Sequence, residues 1–376
     1  MIINVNRKEL LAHMKKATKA SVAAGHPLMV LTGVLLEADG RSGVLRITAT
    51  NLEISIRSTM PAAVEKDGSA VVDAKFLLGA LNVLPGEDVY MELRENDQFY
   101  ISSGQAYYLV SALRRKDYPE VEIPYPGDTV TAKGLKSLIT RSVFAAASPN
   151  PVKPALSCVK LMFSENGVQA IGADGNCIVQ VNGDPECKGN LSILVPATSM
   201  KTLASLAADS DVYALGVTGN NGSVKNVVFS DGTMLFSARI VEGGYPNTDA
   251  VFDSITPVAS ASINADNLHR ALDDIMSIAG SSGKIEFAFA DNGLLLRYSG
   301  INGNAAIPLK AVVESATKEK YYFTLKNLSS IARLLKGEIT LSFTKDKIVE
   351  IRSDAVRYIQ IGLRPDAVMK TEKEAA

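Results

Sequence analysis

Residues 111–119 read SALRRKDYP, and residues 237–246 read SARIVEGGYP. Both stretches open on Ser-Ala and close on Tyr-Pro. Ser111 and Ser237 lie 126 residues apart, and Tyr118 and Tyr245 lie 127 apart, so the second copy is one residue longer. A matching start and finish at one spacing is the mark of an internal repeat, and it sets a period against which the rest of the chain is tested.

Outward from these stretches, two kinds of helix recur. Residues 3–17, INVNRKELLAHMKKA, read as a strand end followed by an amphipathic helix with Leu10, Leu11 and Met14 on one face. The pattern returns at 129–147, TVTAKGLKSLITRSVFAAA, with Leu135, Leu138, Ile139 and Val143 at helical spacing. It returns again at 262–279, SINADNLHRALDDIMSIA, with Leu268, Ala271, Leu272 and Ile275. The landmarks Leu10, Leu135 and Leu268 are separated by 125 and 133 residues. The second kind reads VVDAKFLLGALNVL from Val71, ILVPATSMKTLASL from Ile193 and YFTLKNLSSIARLL from Tyr322, with Asp73, Thr198 and Thr324 as expected caps.

Between the helices lie alternating runs broken by turn residues. Residues 33–60 hold three expected strands with a turn at Asp39-Gly40, and hairpin bends are expected at Asp231-Gly232 and Asn292-Gly293. One unit of about 125 residues is thus helix, strands, helix, strands, and the chain holds three. The expected domains are 1–124, 125–251 and 252–376, with 366–376, polar and charged, as a disordered tail. The expected fold class is α+β: three repeated domains, each with two helices packed on antiparallel sheets.

The chain has 376 residues, 47% hydrophobic and 21% charged, ordinary values for a soluble protein with several cores. No run approaches the roughly 20 apolar residues of a membrane span, and no secretory signal opens the chain, so a cytoplasmic setting is expected. Cys158, Cys177 and Cys187 show no C-x-x-C spacing and are expected to be reduced, buried small hydrophobes.

Catalytic chemistry is sparse. His13, His26 and His269 have no metal-like spacing, so no metal and no cofactor is expected. GSSGK at 280–284 has two residues between its glycines where a phosphate loop needs four. Charge on the helices says more. Lys8, Lys15, Lys16 and Lys19 oppose a single Glu9, and Lys133, Lys136 and Arg141 lie in an acid-free stretch. Lys75, Lys201, Lys326, Arg333 and Lys336 belong to the second helix type. The net charge is −1, so the compensating acids lie elsewhere. Rows of ammonium groups neutralise phosphates without reading bases, which gives salt-dependent, sequence-blind affinity for duplex DNA.

At this point the triplicated unit becomes specific. Together with SALRRKDYPEV (111–121), IGADGNCIVQV (171–181), RIVEGGYPN (239–247) and VRYIQIGLRP (356–365), it resembles the bacterial DNA polymerase III beta subunit, the sliding-clamp family, from Met1 to about Arg364. The resemblance implies a homodimer of three-domain chains paired head-to-tail. Six domains then form a ring around double-stranded DNA, with helices facing the hole, no catalysis, and a replicative polymerase tethered for processivity. The implied DNA contacts are Lys8, Lys15, Lys19, Lys75, Lys133, Lys136, Arg141, Lys153, Lys201, Lys326 and Arg333. Polymerase and clamp loader would dock by a short peptide motif on Leu156, Ala173, Gly175, Asn176, Cys177, Ile178, Pro246, Val251, Ile359, Ile361, Gly362, Leu363 and Arg364. Tyr108, Val110 and Ile278, with Lys75 nearby, would form the dimer interface.

The chain departs from the family at several of these places. The family usually shows Thr-Asp-Gly-His-Arg-Leu where residues 173–178 read ADGNCI, and Ala250 stands where a pocket arginine is common. An altered peptide preference is therefore expected. The loops 23–28 and 148–156 leave only His26 and Lys153 for DNA, and Asp266, Asp273 and Asp274 oppose Arg270 in the third repeat, so weak DNA affinity is expected. A clamp-like decoy that sequesters polymerase is the competing reading.

Overall fold

In a computed structural model the described residues are 1–126, 130–150, 152–183, 187, 189–220, 223–280, 283–300 and 303–363. The expected disordered tail and Arg364 lie outside them. The element order recurs in three copies, the second with eight strands among the described residues where the first and third have nine. The first copy runs β1 (Ile2–Asn6), α1 (Arg7–Ala17), β2 (Gly33–Asp39), β3 (Val44–Thr50), β4 (Ile54–Pro61), β5 (Ala63–Lys66), β6 (Gly68–Asp73), α2 (Ala74–Val83), β7 (Asp88–Leu93), β8 (Gln98–Ser103) and β9 (Ala106–Ser111). The second runs β10 (Val130–Lys133), α3 (Leu135–Ser142), β11 (Cys158–Ser164), β12 (Gly167–Ala173), β13 (Cys177–Asn182), β14 (Leu191–Pro196), α4 (Ala197–Leu206), β15 (Val212–Asn220), β16 (Ser223–Ser230) and β17 (Met234–Arg239). A short helix, α5 (Thr248–Asp253), leads into the third copy. That copy runs β18 (Pro257–Asn264), α6 (Ala265–Ala279), β19 (Lys284–Ala290), β20 (Gly293–Gly300), β21 (Gly303–Lys310), β22 (Val312–Ser315), β23 (Tyr321–Thr324), α7 (Leu325–Ala332), β24 (Glu338–Thr344), β25 (Ile348–Arg352) and β26 (Val356–Ile361).

The described residues fall into two compact units, one from those within 1–133, 187, 189 and 205–240, the other from those within 134–183, 190–204 and 241–363. The division cuts through the second copy because its strands join two different sheets. In the first unit, a five-stranded sheet of order β5-β1-β7-β8-β9 accompanies an eight-stranded sheet of order β10-β15-β16-β17-β4-β3-β2-β6. The second unit holds a nine-stranded sheet of order β14-β11-β12-β13-β26-β25-β24-β18-β22 and a four-stranded sheet of order β21-β20-β19-β23. Each large sheet is two copies joined edge to edge. β17 meets β4 with Phe236 opposite Ile56, and β26 meets β13 with Tyr358 opposite Val179.

The Tyr-Pro stretches explain why the repeat keeps its ends. Tyr118 is buried and its hydroxyl donates to the Thr48 carbonyl at 3.2 Å; Tyr245 donates to the Ile171 carbonyl at 3.3 Å. Thr48 and Ile171 are equivalent, each two residues before the pair that closes its hairpin, Thr50 opposite Ser55 and Ala173 opposite Ile178. Each linker tyrosine therefore pins the chain back onto its own copy. Burial pushes both phenols well above the ordinary tyrosine range, so they stay neutral donors.

Helix starts follow local chemistry. The Asn6 side chain accepts from the Lys8 and Glu9 amides at 3.0 and 3.1 Å, and Asn264 accepts from the Asp266 amide at 3.0 Å. These caps start α1 and α6 three residues ahead of the landmarks Leu10 and Leu268; such a cap contributes about 1 kcal/mol. Gly134 at the start of α3 has φ 72° and no side chain to cap with. Asp73 caps α2 through the Phe76 amide at 2.8 Å, as expected. Thr198 instead lies inside α4, and Thr324 occupies the cap position of α7 without a side-chain cap bond. Leu10, Met14, Leu268 and Leu272 are fully buried, and the second unit adds an aromatic core in which Tyr321 and Phe343 approach to 4.7 Å between ring centres. All three cysteines are free and buried.

Candidate functional site

Two kinds of surface emerge, basic helix faces and an apolar strand junction. On α1 the exposed positions are Lys8, Glu9, Ala12 and Lys15, with Lys19 in the turn that follows; Lys16 is half-buried and pairs with Asp231 at 3.7 Å. Lys75 is exposed on α2, Lys136 on α3, Lys201 on α4 and Lys326 on α7, while Lys133 ends β10 and Arg141 is half-buried on α3. None of these, Lys16 apart, makes an ion pair among the described residues. Arg333 differs: it follows α7 and pairs with Asp273 of α6 at 3.2 Å. Lys153 is exposed in the loop before residue 154, and the His26 ring accepts from the Leu28 amide at 3.1 Å.

The second surface lies where β13 meets β26. The turn before β13 is built by Asp174, whose Oδ1 accepts from the Asn176 and Cys177 amides at 2.7 and 2.8 Å, and by Gly175 at φ 90°, a left-handed conformation that favours glycine. The Ile361 amide donates to the Asn176 carbonyl at 2.9 Å, which extends the junction beyond the ladder. Helix α5 is tied alongside: Gln180 Nε2 donates to Asp249 at 3.4 Å, and Arg357 reaches the Phe252 carbonyl while its guanidinium covers the Phe252 ring at 4.5 Å. Val251 on that helix and Ile361 on β26 are 37% and 49% exposed, so the junction carries an apolar surface.

The expected peptide-pocket residues therefore separate by depth. Gly175, Asn176, Pro246, Val251 and Ile361 are exposed, and Leu156, Ile178, Gly362 and Leu363 are half-buried. Ala173, Cys177 and Ile359 are buried at 2%, 1% and 2%, so their side chains form the floor beneath the surface. Burial, with the Asp174 carboxylate beside it, pushes the Cys177 thiol well above its ordinary range. A floor of neutral groups suits apolar contact and excludes charge.

Reading the sequence missed what holds this floor. Gln360 is 2% exposed; its Oε1 accepts from the Tyr358 hydroxyl at 2.6 Å, and its Nε2 donates to the Thr324 carbonyl and hydroxyl at 3.1 and 2.9 Å. Asn327 of α7 donates to Cys177 Sγ at 3.2 Å and to Asp174 at 3.5 Å. The Thr324 hydroxyl, which makes no cap bond to α7, accepts from Gln360 instead. The available signal was a glutamine at an inward position of the alternating run Val356, Tyr358, Gln360.

At the expected dimer interface, Tyr108 and Val110 lie on β9, an edge strand, and Ile278 is 40% exposed near the end of α6. Beside β9 a cavity of about 460 Å³ is lined by Asp73, Lys75, Phe76, Gly79, Ala80, Val83 and Tyr108. Phe76 and Tyr108 meet edge to face at 6.3 Å. No group of three metal-ligating side chains occurs among the described residues, and no helix among them is long and apolar enough to cross a membrane.

Comparison with known proteins agrees with this fold. Residues 1–122 match the family described as DNA polymerase III beta subunit, N-terminal domain. The Beta sliding clamp of Staphylococcus epidermidis is 25% identical over 297 residues, covering 75% of this chain and 76% of that protein. The DNA polymerase sliding clamp of Bacillus subtilis superposes with a TM-score of 0.88 at 20% identity, covering 97% of this chain and 99% of the other. A Pseudomonas aeruginosa sliding clamp bound to griselimycin superposes with a TM-score of 0.85 at 18% identity over 97% of this chain and 99% of the other. The chain thus shares the fold of the bacterial sliding clamps, and in sequence it is similar to the DNA polymerase III beta subunit, over residues 1–122 to the amino-terminal domain of that family and over three quarters of its length to proteins named beta sliding clamp.

Proposed function

We propose that this chain acts as a DNA sliding clamp, a non-catalytic processivity subunit that encircles duplex DNA and tethers a DNA polymerase. The decoy reading is not favoured, because the relatives it matches are themselves named sliding clamps. One observation carries the ring. Three copies provide three first-sheet ends, β4, β13 and β21, and three second-sheet ends, β9, β17 and β26. Two pairs are used within the chain, and β9 and β21 are left as edges. The matching rule assigns β9 of one copy to β21 of a second, head to tail, and the same pairing at the other end closes the circle.

The register follows from the repeat. Val110 precedes Ser111-Ala112 as Phe236 precedes Ser237-Ala238, and Ala305 follows the hairpin pair Ser299 and Asn304 as Ile56 follows Thr50 and Ser55. Val110 of one subunit then faces Ala305 of the other, as Phe236 faces Ile56. The α2 cavity beside β9 is the seat for Ile278 of the second subunit. Domains 1–124, 125–251 and 252–376 are the ring segments, and the cytoplasm is the compartment this reading supplies.

Enclosure relieves the inner surface of any need for tight binding. Lys8, Lys15, Lys19, Lys75, Lys133, Lys136, Arg141, Lys201 and Lys326, with Lys153, supply a diffuse positive field toward a phosphate lattice without a preferred register. Polymerase and clamp loader dock by a short apolar peptide on the β13–β26 junction, which raises the polymerase's effective concentration at the primer end. Electron-microscope images of the purified chain test the reading: a closed two-subunit ring with a hole is expected, and an open single-chain arc overturns it.

A further inference from the structure

The three helix pairs do not carry equal charge. Helices α3 and α4 hold Lys136, Arg141 and Lys201 with no carboxylate, and α1 holds Glu9 alone against its cations. The pair α6 and α7, with Arg333 immediately after, holds Arg270, Lys326 and Arg333 against Asp266, Asp273 and Asp274, so it is electroneutral. One carboxylate is at the centre. Asp273 lies 3.2 Å from Arg333 Nη2, 2.9 Å from His269 Nε2 and 3.1 Å from the Ser329 hydroxyl that donates to it. Arg270 is also occupied, donating to the Asp266 carbonyl at 3.3 Å and to Asn267 at 3.1 Å.

Resting on the reading that exposed helix faces meet the duplex, we infer that α6–α7 is a charge-silent sector of the DNA-facing surface, and that Asp273 makes it so by withdrawing Arg333 from phosphate. A guanidinium already bonded to a carboxylate releases no counterion when DNA arrives, because it has none to give up. The duplex is then held chiefly by the first and second copies, and Lys326, which makes no ion pair among the described residues, is the contact that the third pair keeps. Asp273 is a positioning residue in this scheme, acting on DNA only through Arg333.

The test is a double-mutant cycle read as salt dependence of affinity for a short duplex, measured by fluorescence anisotropy on the full chain. Asp273→Asn frees Arg333, and the slope of log affinity against log salt steepens by about 0.9, the worth of one phosphate contact. Arg333→Ala alone leaves the slope unchanged, and in the Asp273→Asn background it removes the gain. A slope that falls with Arg333→Ala alone, or that ignores Asp273→Asn, overturns the inference; so do two effects that simply add, since addition is the signature of net charge alone. Asp273→Ser repeats the measurement should the asparagine variant fail to fold. Lys15→Ala runs beside them and flattens the slope by a similar amount. If Lys15→Ala is silent too, the helix-face reading falls and the inference with it; if only Asp273→Asn is silent, the inference falls alone.

Discussion

At the scale of single residues, polar groups at inward positions decide local geometry. His13 sits half-buried on α1 with its Nδ1 2.6 Å from the Ser58 hydroxyl. Burial first, and then the neighbouring Lys16 ammonium, lowers its pKa below the ordinary imidazole value. The sign follows from linkage. An unfolded chain takes up the proton near pH 6.5, whereas the folded chain resists it until lower pH, so stability falls as pH drops through that window. The melting temperature should therefore decline between about pH 7 and about pH 5, and His13→Gln should flatten that segment of the curve. An equal decline in the variant assigns the effect to other groups. Gln360 shows the same rule from the other side: fully buried, it is tolerated because Tyr358 and Thr324 satisfy both ends of its amide.

At the scale of elements, the repeat was legible because hydrophobic period and turn residues recur in phase. The three helices of each type, the three strands in 33–60 and the bend at Asp231-Gly232 follow from that pattern, while the bend expected at Asn292-Gly293 falls one residue earlier, at Asp291-Asn292, because Gly293 already pairs with Ala290. The strand junctions were not legible. Pairing between β17 and β4, or between β13 and β26, joins residues more than 170 positions apart, and no local period encodes it. Depth at the proposed peptide surface was equally hidden: β13 alternates, so Cys177 and Ile178 face opposite ways, yet only sheet packing tells which is buried. The unfilled edges yield the element-level prediction. Val110→Asp places a carboxylate in the proposed β9–β21 seam, where a desolvated charge without a partner costs several kcal/mol. Light scattering should report a particle of twice the 40.0 kDa chain mass for wild type and the single-chain mass for the variant, with unchanged circular dichroism. A variant that remains a dimer would place the interface elsewhere.

At the scale of the whole molecule, the balance between affinity and mobility sets the function. A ring that closes around DNA gains retention from topology, so each phosphate contact adds friction as well as hold. With a net charge of −1 over the whole chain, the cations of α3 and α4, which carry no carboxylate, are balanced by acids elsewhere. Lysines suit this role, because an ammonium on a flexible stem trades one phosphate for the next without a fixed fork to break. Lys136→Ala and Lys201→Ala should each weaken duplex binding uniformly across sequences and flatten the salt slope by about 0.9, additively, since the two sit on different helices. Affinity for duplexes rich in A·T and rich in G·C should match at equal salt, in both wild type and variants. A variant that loses affinity for one sequence and not the other would reveal base contact, and a surface that reads bases is one on which a clamp would stall.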